Sequence, residues 1–408
     1  MVLKECFDST ATIAAVLLFI ITVASFAEPA ESCSLGYENG TLIACEEGTE
    51  KEPEAKPEET FPWKDIRLPS FIEPVHYDLF MDLNLETFEN SGQVNITFQV
   101  TNATNFIVLH SKDLNLLRIL VLQDNETIIP VLQHLEYPKH QQLYIKFDGT
   151  FIPDLKYKLR IDFRRHLEES MEGFYVSSYT TSDGEKRYLA TTQFQPTAAR
   201  SAFPCFDEPA MKATFQLKMV HDVNYRAYFN SEILQIAPYS EGRSISSFQK
   251  TVKMSTYLVA FIVCDFRERE ITNLDGVDIR VLVPSEQCEE SEYALELAAD
   301  ILDFYQTFFN ISYPLSKLDM AAIPDFAYGA MENWGLVSFR LVAILYSPSE
   351  TSANNQGIVA SVISHELAHQ WFGNLVTMQW WNDLWLNEGF ASFMQYIALD
   401  SIRSEWDM

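Results

Sequence analysis

His365-Glu366-Leu367-Ala368-His369, followed after eighteen intervening residues by Glu388, is the stretch around which this 408-residue chain is organised. Residues four apart on a helix stand one above the other on the same face. Helical spacing therefore lets His365 and His369 direct two imidazoles at one ion. Glu366 sits one position round the helix, placed to reach a water on that ion without binding the ion itself. Two imidazoles and a carboxylate make a zinc-type ligand set with a fourth position open, which marks a catalytic site. Zinc brings the pKa of a water held there to roughly 7, and the neighbouring carboxylate can take its proton. Glu388 lies on a second helix-like stretch, residues 384–394, and Gly373-Asn374 supplies a stop for the first helix.

Upstream stands Gly329-Ala330-Met331-Glu332-Asn333. Read alone, Glu332 is one acidic residue in a turn-like stretch, and a structural role is the default.

With these motifs together, the chain resembles the zinc aminopeptidases of the aminopeptidase N type, which are gluzincins. The resemblance runs from about Phe61 to the end. Phe61-Pro62-Trp63, His110-Ser111-Lys112-Asp113-Leu114 and the run from Val252 to Phe261 are most similar to the oxytocinase and endoplasmic-reticulum aminopeptidase branch. The resemblance implies one Zn2+ per chain on His365, His369 and Glu388, with Glu366 as base and peptides with a free N-terminus as substrates. It implies that Glu332 and Asn333 belong to the motif that recognises the amino terminus. Main-chain groups of Gly329 and Ala330 would align the peptide as an added strand, and Met331 would line the first side-chain pocket. Gln193 and Gln195 would face the substrate's first residue and its amino group. Three places depart from the family pattern: Gln195 where the branch usually has Glu, Tyr328 where a small residue is usual, and Leu341 where Glu tends to follow the arginine.

The net charge of -28 argues against nucleic-acid partners, because a phosphate backbone needs a basic face. The six cysteines include no C-x-x-C pair, so a thiolate metal site is not expected. Cys33 and Cys45 have the option of pairing with each other, and Cys205 and Cys264 read as buried thiols. Residues 1–27 read as a signal peptide or a signal anchor. The apolar run from Ala11 to Ala27 is short for a span of about 20 residues, and Lys4 is the only basic side chain before it. Either reading delivers the chain to the secretory pathway, in the endoplasmic-reticulum lumen or at the cell surface. Sequons at Asn39, Asn95, Asn102, Asn125 and Asn310 agree with that compartment. Residues 28–60 are Glu-rich, carry Pro53 and Pro57, and read as an acidic disordered stalk.

Residues 61–266 read as strands. Val94, Ile96, Phe98 and Val100 alternate with Gln93, Asn95, Thr97 and Gln99, which puts Asn95 on a wet face. Tyr157 to Phe163 and Phe215 to Met219 alternate likewise, and residues 257–263 form a buried run. From residue 267 the pattern mixes strand with helix: Val277 to Val283 is one strand. Residues 291–310 form a helix with Leu297, Ile301, Phe304 or Tyr305, and Phe308 inward. The expected fold is multidomain β plus α/β. An antiparallel β saddle or sandwich (61–266) precedes a thermolysin-like zinc catalytic domain (267–408). Asp383 reads equally as a partner of a ligating histidine or as a helix cap. Trp371, Trp380, Trp381 and Trp385 read as core and interhelix packing.

In the family, an oxyanion-stabilising tyrosine, the rest of the catalytic domain and a helical C-terminal domain lie beyond the point matching Met408. The expectation is therefore a C-terminally incomplete catalytic domain, and two functions stand side by side. One is a zinc metallo-aminopeptidase; the other is a truncated, catalytically impaired peptide-binding or dominant-negative product. An endopeptidase of the same zinc class would cleave N-acetylated peptides. The related epoxide-hydrolysing branch is cytosolic, and the leader and sequons argue against it.

Overall fold

Alternation in the sequence becomes sheet in the N-terminal half. The computed structural model describes residues 61–123, 127–153 and 155–406, with the backbone of a short strand pair at Tyr37–Glu38 and Thr41–Leu42. The leader, Asn39, Asn125, Cys33 and Cys45 lie outside the described residues. Strands β1 (Ile72–Asn84), β2 (Glu89–Val100) and β3 (Lys156–His166) form the middle of an eight-stranded sheet. Burial in β2 alternates strictly from Asn90 to Val100, with Val94, Ile96 and Phe98 fully inside. β4 (Lys186–Gln193) belongs to a four-stranded sheet, between Gly173–Thr180 and Phe261–Cys264. β5 (Thr214–Asp222) returns to the large sheet and lies parallel to β1, Thr214 beside His76 and Val220 beside Asp82. The antiparallel expectation is thus corrected at this one pair, where the chain comes back by a long crossover and not by a hairpin. A three-stranded sheet completes this β-rich part.

The run at residues 257–263 is buried as expected, but it is not one strand. Thr256–Leu258 is a 3-10 turn, and the strand covers Phe261–Cys264. Asn95 lies on the wetter face of β2, half-buried, with its amide donating to Oε1 of Gln93 at 3.4 Å. Asn102 is exposed in the turn after β2. Cys205 and Cys264 are buried free thiols.

A five-stranded sheet follows. Its order is Arg267–Thr272, Asp278–Val283, β6 (Lys317–Ile323), then β7 (Ala330–Met331) at the edge, joined through β8 (Leu336–Arg340). Gly335 at φ +82 lets the chain enter β8; a Cβ there would stand 2.3 Å from the carbonyl oxygen of Asn230. Three helices complete the described part: α1 (Glu292–Phe309), α2 (Ala353–Ala368) and α3 (Trp385–Ile402). Asn310 ends α1 in the left-handed region at φ 52 and is exposed. Leu297, Ile301 and Tyr305 of α1 point inward, whereas Phe308 is half exposed. The inward stripe therefore runs through Tyr305, whose hydroxyl reaches Ser364 of α2. Among the described residues no helix is long and apolar enough to cross a membrane.

Candidate active site

α2 starts on Ser352, whose side chain accepts from the Asn355 N–H at 3.2 Å. It ends at Ala368, with His369 still in helical geometry at its C-cap. The stop is therefore earlier than Gly373. The N–H groups of Trp371 and Phe372 both bond the Ala368 carbonyl at 3.1 Å, and Gly373, at φ +132, closes the turn. That turn matters to the site, because Nδ1 of His369 donates to the Phe372 carbonyl at 2.8 Å.

Nε2 of His365 lies 3.0 Å from Nε2 of His369. Oε2 of Glu388, on the first turn of α3, lies 3.3 Å from the first nitrogen and 3.6 Å from the second. Nδ1 of His365 faces Oε1 of Gln395 at 2.9 Å. Each ring thus spends its N–H on an oxygen behind it, which leaves both Nε2 lone pairs turned toward one another and toward a carboxylate. With both rings neutral, these are three acceptors that only a cation satisfies, either a metal ion or a proton taken up by His369. A tetrahedral zinc with bonds of about 2.0–2.1 Å spaces its ligand atoms roughly 3.3–3.4 Å apart, and the three separations bracket that value. The donor set fits zinc.

These residues line a cleft of about 670 Å³, shared with Glu366 from α2, Glu332, Gly329 and Ala330 from the edge strand region, and Gln195 and Tyr328. Glu332 and Glu366 are 3% and 6% exposed, and Oε1 of the first and Oε2 of the second have no hydrogen-bond partner. Burial pushes the Glu366 carboxyl well above the usual range; His369 pulls it down, and Glu332 and Glu388 push it up. Burial also raises Glu332. For His369, burial opposes the charge, but Glu332, Glu388 and Glu366 together outweigh it and lift the ring to about 10. Burial would raise Glu388, yet hydrogen bonds and charge from His365 and His369 hold it below the usual carboxylate range. The cleft is an acidic hollow that a divalent cation would neutralise.

The other expected residues fall into two groups. Gly329, Ala330 and Gln195 stand in the cleft wall, with Ala330 on the free-edged strand β7. Gln193, Met331 and Asn333 are buried behind it, with Nε2 of Gln193 3.6 Å from Met331 Sδ and both amide atoms of Asn333 unpartnered. Tyr328 is half exposed at the cleft. Asp383 caps no helix: the N-cap of α3 is Leu384, with no side-chain cap, and the histidines take Gln395 and Phe372 instead. Trp371 is buried and Trp381 packs on Tyr257, but Trp385 is 58% exposed, which corrects its expected packing role. Sequence reasoning missed Gln395. It lies seven residues after Glu388, two turns along the same helix face, and that spacing was the available signal.

The sequence comparisons agree with this architecture. A model of the Peptidase M1 N-terminal domain matches residues 73–258, and one of the Peptidase family M1 domain matches residues 293–408. The architecture is that of the M1 peptidase family, an M1 N-terminal β domain followed by a match to the M1 domain, and it carries a His365, His369 and Glu388 group that could hold a metal ion. The chain belongs to the M1 aminopeptidase family. It is 46% identical over 357 residues to endoplasmic reticulum aminopeptidase 2 of Homo sapiens, covering 86% of this chain and 37% of that protein. It is 43% identical over 363 residues to endoplasmic reticulum aminopeptidase 1 of Rattus norvegicus, covering 88% and 39%. Against glutamyl aminopeptidase of Bos taurus it is 40% identical over 358 residues, covering 87% and 37%. The chain thus spans under two fifths of the length of these relatives.

Proposed function

We propose that this chain is a zinc metallo-aminopeptidase that removes N-terminal residues from peptides in the secretory pathway. The supporting observation is the convergence of two imidazole lone pairs and one carboxylate in the cleft that also holds Glu332 and Glu366. His365, His369 and Glu388 would hold one zinc, which when bound supplies Lewis acidity and an acidified water. Glu366 takes a proton from the attacking water at its unpartnered oxygen and returns it to the nitrogen of the leaving amine. Glu332 holds the substrate ammonium, and β7 offers its free edge to the peptide backbone. Release of a fluorophore from aminoacyl amides, with and without chelator, tests the reading. Chelator-sensitive release is expected, and its absence in folded, zinc-loaded protein would count against turnover.

A second reading is a peptide-binding chain of impaired turnover. The N-terminal segment as signal peptide or anchor, and glycans at the five sequons, belong to the same secretory proposal.

A further inference from the structure

We infer that Tyr257 is a positioning residue for the metal centre: its hydroxyl ties together the two chain segments that carry the ligands. The inference rests on the zinc reading above. Tyr257 is one residue from the end of the stretch matched by the N-terminal domain model, and it is 1% exposed. Its hydroxyl accepts from Nδ2 of Asn387 at 3.2 Å and donates to the Gly373 carbonyl at 3.3 Å. Asn387 is the chain neighbour of Glu388. Gly373 directly follows Phe372, whose carbonyl holds His369.

Two further observations give this hydroxyl its weight. α3 begins without a capping side chain, so the turn that carries Glu388 lacks the usual anchor, and the Asn387–Tyr257 bond supplies one. The segments it joins are already in contact. A Cβ on Gly373 would stand 3.2 Å from Nδ1 of His369 and 3.3 Å from Nδ2 of Asn387. The Tyr257 ring packs edge-on against Trp381, 5.2 Å between centroids, and Trp381 lines the cleft. The phenol therefore ties the turn that holds His369 to the turn that carries Glu388, from outside the cleft lining.

Zinc affinity of the full chain, read by competition with a chromophoric chelator, tests this beside Tyr257→Phe, Asn387→Ala and the double variant. Tyr179→Phe serves as a control: it removes a hydroxyl that donates to Asp265 at 2.7 Å and takes no part in the cleft. Each site variant is expected to lose about 10–100-fold in affinity, as outer partners of metal ligands do, with the double variant no worse than the weaker single. The visible absorption of the cobalt-loaded chain should change in the same variants and not in the control. Unchanged affinity in folded Tyr257→Phe, or an equal loss in Tyr179→Phe, would overturn the inference. If Tyr257→Phe does not fold, Asn387→Ala decides. An unaltered chain that takes up no zinc overturns the metal reading and this inference together. Zinc binding that the variants leave intact overturns this inference alone.

Discussion

Gln395 and His365 face each other at 2.9 Å, side-chain oxygen to Nδ1, across the packed helices α2 and α3. The contact fixes which nitrogen of His365 keeps its proton and so which one is free to bind a metal. Gln395→Leu should therefore weaken zinc binding by about 10–100-fold while leaving the chain folded. Competition titration against a chromophoric chelator, with circular dichroism as the folding check, reads both. Unaltered affinity would show that the amide does not orient the ring.

Glu366 and Glu388 should separate cleanly under substitution. Glu366 touches no ligand atom, and its Oε2 is unpartnered, whereas Glu388 closes the donor set. Glu366→Gln should keep its zinc and lose any chelator-sensitive hydrolysis by about two to four orders of magnitude. Glu388→Ala should lose zinc by more than the roughly 10–100-fold attached to an outer partner. Metal content after dialysis, beside turnover, distinguishes the two; full activity in Glu366→Gln would remove it from the role of base.

Glu332 is buried in the cleft with one oxygen unpartnered, which suits a group awaiting an ammonium. Peptides with a free N-terminus should bind Glu366→Gln protein more tightly than their N-acetylated forms, by about tenfold or more, the range of a charge-assisted contact. Adding Glu332→Gln should erase the difference. Fluorescence anisotropy of labelled peptides measures this without turnover. Equal binding of both forms to protein with Glu332 intact would leave the ammonium unread.

His110 predicts an acid sensitivity unrelated to the metal. Burial, with Arg200 adding to it, holds its pKa well below the ordinary histidine value, and its Nδ1 has no partner. The folded state thus keeps the ring neutral while the unfolded chain takes up a proton below about pH 6.5. Stability is full above that value and falls as pH drops toward the depressed folded pKa, by up to about 1.4 kcal/mol per pH unit. Urea unfolding between pH 7 and pH 5 should show a steeper loss in the unaltered chain than in His110→Gln. Parallel curves would assign the acid sensitivity to other groups.

The readable parts of this molecule are those set by local period. The i, i+4 spacing put His365 and His369 on one face, and strict alternation gave β2 its buried side. The left-handed Asn310 closed α1 where the apolar period ended. What escaped the sequence depends on partners distant along the chain. Parallel pairing of β5 with β1 joins Thr214 to His76, and no turn signal marks it. The Phe372 carbonyl behind His369 is main chain and has no residue signature. Asp383 was plausible by type, but Gln395 sits at the position that α2–α3 packing brings to His365. Trp385 and Phe308 fit an apolar pattern yet are 58% and 51% exposed, because burial is decided by what packs on a helix and not by its own period.

Zinc content of the purified, folded chain, measured by plasma mass spectrometry after dialysis beside a His365→Ala, His369→Ala double variant, tests the central claim most directly. One zinc per unaltered chain and none in the double variant is the predicted result. A folded chain without zinc, or a zinc that survives loss of both imidazoles, would contradict it.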